Sequence, residues 1–109
     1  MNQDIKRLHQ QLAQSHQVLL RRFAEANNDE DAETILWEIE EVNFRMVMTG
    51  RLLFKQTPTN FSKDIQSLID AGADLDRAIQ EARQIKDIVN AVGQMLTFVD
   101  TILDKLKLL

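Results

Sequence analysis

The stretch from Ile35 to Phe54, ILWEIEEVNFRMVMTGRLLF, limits most sharply what this chain can become, because its apolar residues cover most of the circumference of a helix. Ile35, Ile39, Val42 and Met46 fall on one side at three- and four-residue steps, with Leu53 one heptad further on. Trp37, the only tryptophan, falls on the other side with Phe44, Met48 and Leu52. Thin polar strips divide the two lines. Such a helix is normally covered by neighbours on more than one side, so it is expected to be the central helix of its fold.

The turns are few. Three Gly and one Pro in 109 residues favour long helices, and no segment alternates apolar and polar residues for long enough to make a strand. The length suits one domain, residues 1–109. Before the central stretch, Ile5, Leu8, Leu12, Leu19, Phe23 and Ala26 draw one narrow stripe, which predicts a helix over roughly 3–26 that packs on the central helix from outside. Asn27, Asn28 and Asp29 supply capping side chains, and Asp29, Glu30, Asp31 and Glu33 place negative charge at a helix start. A connection this short forces an antiparallel hairpin.

KQTPTNFS, Lys55 to Ser62, holds the only Pro and the densest run of turn formers, so the second helix is expected to stop near Gln56 and Ser62 to cap a third. Phe61 is placed for a staple, with Ile65 as its contact. From there Ile65, Leu68, Gly72, Leu75, Ile79 and Ala82 keep heptad spacing, passing through Gly72; a break there, with Asp74 as a new cap, is the competing reading. The stripe then restarts one residue early as Ile85, Val89, Val92, Leu96, Val99, Leu103 and Leu106, with Ile88, Met95, Phe98 and Ile102 beside it. One straight helix over 62–108 would reach about 70 Å and leave its last third bare. Either the chain bends near 80–87 and folds back as a fourth helix, or a second copy covers the overhang. The expected fold is therefore all-α: an antiparallel helical hairpin plus a long or bent C-terminal helix, in a three- or four-helix bundle.

Charge excludes some partners. The net charge is −4, and no sustained basic face exists to meet phosphates, so nucleic acid is not an expected partner. The charge is unevenly spread: residues 1–27 carry four basic and two acidic side chains, while residues 28–48 carry one and seven. The simplest account is pairing between neighbouring helices, with Glu38, Glu40 and Glu41 facing Lys6, Arg7, Arg21 or Arg22. Asn43, beside the main stripe, is a candidate for fixing register. There is no Cys, no apolar leader at the N-terminus and no uninterrupted run of about 18 apolar residues, so a cytoplasmic chain without a membrane span is expected.

No chemistry announces itself. His9 and His16 lie two turns apart, about 10 Å, which is too far to share one metal, and neither follows a Glu at the three-residue spacing of di-iron bundles. Neither has the Lys-Gly context of a phosphotransfer histidine. Ser, Thr and His are unpaired, and no Gly-rich phosphate loop occurs. The expectation is a chain with no catalytic residues, metal or cofactor.

What remains is contact surface. Trp37, Phe44, Met48 and Leu52, together with Ile88, Val92, Phe98, Val99, Leu103 and Leu106, are the candidate interaction residues, being of types enriched where proteins meet. They point to a non-enzymatic interaction or scaffold bundle that binds protein, foremost a second copy of itself. The alternative is a bundle that lies on or inserts into lipid through its apolar C-terminal helix. That reading is weakened by Lys86, Lys105 and Lys107 being balanced by Asp87, Asp100 and Asp104. A small-ligand bundle would need a sizeable internal cavity.

Overall fold

Caps and turns divide the described residues of this chain into four helices. In the computed structural model, which describes residues 2–56, 60–81 and 83–107, they are α1 (Gln3–Ala24), α2 (Asp29–Arg51), α3 (Ser62–Gln80) and α4 (Ile85–Lys107). No strand occurs among the described residues. Asn2 caps α1, its Oδ1 accepting from the amides of Asp4 and Ile5. Asn28 caps α2, accepting from Asp31 N–H at 2.8 Å. The start of α3 differs from expectation. Ser62 is its first residue rather than its cap, and Asn60 accepts the Ser62 amide at 2.8 Å instead. Phe61 is fully buried, and its amide donates to Asp4 Oδ2 at 3.2 Å, which ties the start of α3 to the start of α1.

The chain bends and folds back. α3 runs unbroken through Gly72 and ends at Gln80, where Arg83 N–H closes onto Ala78 C=O. The whole bundle is 46 Å long, far short of the reach of one straight helix. No Gly or Pro forces this turn. What forces it is area: folding back buries Ile88, Val92, Met95, Leu96, Val99, Ile102, Leu103 and Leu106 in one core with Ile5, Leu8, Leu12, Leu19, Ile35, Val42, Ile65, Leu68 and Leu75. Ala82, the last residue of the expected third stripe, and Pro58 lie outside the described residues.

No helix is central. α1 packs on α2 and α3, and α4 packs on α3 and α2, so each helix has two principal neighbours around a ring. α1 and α2 are antiparallel, as His9 meets Thr49 near one end of the hairpin. α3 and α4 are antiparallel too, with Asp64 on Lys105. Across the hairpins the neighbours are parallel: Asp4 with Phe61 and Gln14 with Asp76 along α1/α3, and Arg45 with Asp100 and Lys55 with Leu106 along α2/α4. The step from α2 to α3 therefore crosses the ring on a diagonal at one end of the bundle.

That crossing shortens α2, which stops at Arg51 and not near Gln56. Leu53 C=O accepts Asn2 N–H at 2.8 Å, Lys55 C=O accepts Asn2 Nδ2, and Lys55 Nζ donates to Leu106 C=O at 2.6 Å. These bonds pull the segment across the base and out of helical continuation.

Candidate functional site

With neighbours only on the α1 and α4 sides, α2 turns the rest of its circumference to water. Trp37 is 61% exposed and Phe44 62%. They stand two turns apart on one line, and Val47, 48% exposed, and Leu36 flank them. Polar residues interleave: Glu33, Glu40 and Arg51 are exposed on the same outer line, and no ion pair among the described residues uses them. Apolar side chains of this size are normally inside, and here several stand together on one exposed helix face.

The edge of this face toward α4 is held by one arginine. Arg45 presents Nε to Asp100 Oδ1 at 2.7 Å and Nη2 to Asp100 Oδ2 at 3.0 Å, while Nη1 bonds both the carboxylate and the backbone carbonyl of Glu41. The hydrogen bond to Asp100 is the main cause that raises the guanidinium's affinity for its proton, with burial opposing. Arg45 thus fixes how α2 sits against α4, the registering role that Asn43, which is exposed, does not take. Beside it Phe44, Met48, Leu103 and Asp104 line a shallow hollow of about 300 Å³.

The expected pairing of acidic α2 with basic α1 is not found among the described residues. Glu41 turns instead to Arg45, and Glu38 is buried without an ionic partner. Burial raises the Glu38 carboxyl above its ordinary range; Glu41 adds to the rise and Arg45 opposes it. The helix wheel explains the difference, because Glu38 and Glu41 lie on the α4 side of α2.

The ten candidate residues separate into four places. Trp37 and Phe44 are on the outer face of α2, with Met48 half-buried at its α4 edge. Leu52 is half-buried in the turn after α2, so it leaves the helical line. Ile88, Val92, Val99, Leu103 and Leu106 are buried inside the core of their own chain, where a partner reaches them only by opening the bundle. Phe98, 36% exposed, stands one heptad from Lys105, which bonds Asp64 of α3. It therefore lies on the α3 side of α4, away from Trp37. Val47, Glu33, Glu40 and Arg51 were missed as candidates, although their three- and four-residue spacing from Trp37 and Phe44 was visible in the chain.

Nothing else converges. His9 donates from Nδ1 to Thr49 Oγ1 at 2.9 Å, since the single hydroxyl proton of Thr49 is spent on Met46 C=O. That makes His9 an interhelical strut. Among the described residues no group of three or more His, Cys, Asp and Glu is placed to hold a metal. A groove of about 790 Å³ between α1 and α3 is open to solvent and rimmed by Gln10, Gln14, Gln17 and Gln80 over Val18 and Ile79. No helix among the described residues is long and apolar enough to cross a membrane. Comparison of the chain with protein-family models, curated protein sequences and solved structures finds no match.

Proposed function

We propose that this chain is a non-enzymatic, cytoplasmic association module that binds protein through the outer face of α2. The observation that carries the reading is the exposure of Trp37 and Phe44, each more than three-fifths open to water, on one line of one helix. Trp and Phe are the residue types that anchor interfaces, and here they are ringed by unpaired charges of the kind that form a polar rim. The groove between α1 and α3 lacks such anchors. A lipid-binding alternative needs a helix with its apolar face free, and the apolar face of α4 is committed to the core.

The test is a photo-reactive residue placed at position 44 in the cells that make the protein, with the same residue at the exposed, polar position of Gln66 as control. Protein adducts at position 44 and none at 66 are expected. Equal labelling at both positions, or none at either, overturns the reading.

A further inference from the structure

The outer line of α2 reads Glu33, Trp37, Glu40, Phe44, Val47, Arg51, in steps of four, three, four, three and four. This is the spacing of a coiled-coil seam, here on the one side of the helix that no neighbour covers. Run backwards, the line complements itself. When two helices pair antiparallel, facing residues have numbers that add to a constant, and a sum of 84 satisfies all six positions. Glu33 then faces Arg51 of the partner subunit, Trp37 faces Val47 of the partner subunit, and Glu40 faces Phe44 of the partner subunit. Two-fold symmetry repeats each pair.

We propose that this face docks on the same face of a second copy, α2 against α2, antiparallel, with the two-fold axis crossing at the level of Val42. The proposal rests on the association reading above and names its partner. Charge selects the orientation. In a parallel pair Glu33 meets the partner's Glu33, Glu40 the partner's Glu40 and Arg51 the partner's Arg51, giving three layers of like charge. The antiparallel pair converts both ends into opposite charges and leaves the two Glu40 carboxylates near the axis as its one flaw. An isologous contact of this kind closes on itself, so it makes a dimer and not a filament.

Size sets the strength. The seam spans 18 residue steps, about 27 Å, and Trp37 and Phe44 each offer about 100 Å² of open side chain, given 150–250 Å² for a whole aromatic. With their polar rim they fall short of the roughly 800 Å² per partner of a standard stable interface, so dimerisation is expected to depend on concentration.

Sedimentation equilibrium and the emission of Trp37, the only tryptophan, test this together. The mass should climb from 12.6 kDa toward twice that value as concentration rises, and the emission should move to the blue in step. Glu40→Leu should tighten the dimer by about tenfold or more, because it removes the two like carboxylates near the axis and sets an apolar side chain against Phe44 of the partner subunit. Arg51→Glu alone and Glu33→Lys alone should each be monomeric, and mixing the two should restore a dimer, since every end layer then joins opposite charges. Helix content by circular dichroism shows that the variants are folded. A mass that stays monomeric with unmoved emission overturns the second copy, as does a dimer indifferent to these charges. If the purified protein is monomeric but position 44 still captures a different protein in cells, the second copy falls and the association reading stands; if position 44 captures nothing, both fall.

Discussion

Arg45 and Asp100 meet fork to fork across the α2/α4 boundary, with both oxygens of the carboxylate engaged at 2.7 and 3.0 Å. A bidentate pair at the edge of a core does more than two charges near each other, since it fixes rotation and height of one helix against the next.

The coupling between Arg45 and Asp100 should be about 1 kcal/mol in a double-mutant cycle read by urea unfolding. Arg45→Lys keeps the charge and loses the fork, so it should forfeit most of that coupling. A lysine variant as stable as the parent would show that charge alone is at work.

Stability should fall as pH rises past the ordinary carboxylate range, through Glu38. Its folded pKa lies above its unfolded one, chiefly because burial disfavours the charged form. Between the two values the native state holds a proton that the unfolded chain has released, so raising pH favours unfolding; below both, the effect vanishes. Glu38→Gln should be more stable than the parent at pH 7 and less so by comparison at pH 4. Denaturant midpoints at the two pH values check it.

The two glycines Gly93 and Gly72 should answer differently to alanine. A methyl group at Gly93 meets nothing within 4 Å, so Gly93→Ala should stabilise α4 by about 1 kcal/mol, or roughly 4–8 °C in melting temperature. At Gly72 the same methyl would collide with the side-chain amide of Gln11, which donates to Ser15 Oγ. Gly72→Ala should therefore gain less, and the further change Gln11→Ala should recover part of the difference.

Acidic substitution separates core from surface. Val99→Glu places a carboxylate where nothing is exposed and should cost several kcal/mol, abolishing the cooperative melt near ambient temperature. Phe44→Glu should change stability by no more than about 0.5 kcal/mol. Thermal melts by circular dichroism distinguish the two.

The hairpin of α1 and α2 was written in local chemistry: Asn28 before a run of acids, and apolar stripes at helical spacing on either side. The α3/α4 turn was not. Its residues, Glu81, Arg83 and Gln84, favour no turn, and only the competition between exposing and burying Ile88 to Leu106 decides that the chain folds back. The candidate surface shares this limit. Trp37 and Phe44 stood out as a second stripe from their spacing, but whether that stripe is covered depends on whether α3 lies beside α2 or diagonally across from it, and that choice leaves no local signal. For the same reason Ile88, Val92, Val99, Leu103 and Leu106 read as contact residues when they are core.

The crossing at the base gives the bundle two pairs of parallel neighbours, and parallel helices set their peptide dipoles side by side with like ends together. At that end the amino termini of α1 and α3 concentrate partial positive charge, and the carboxyl termini of α2 and α4 concentrate partial negative charge. Asp4 lies in the first turn of α1 and accepts the amide just ahead of α3, and Lys55 follows α2 and donates to the Leu106 carbonyl in the last turn of α4. One acid and one base thus each stand where two like helix ends meet, and each carries the charge that offsets the crowding of like partial charges which parallel neighbours create and an alternating up-and-down ring avoids.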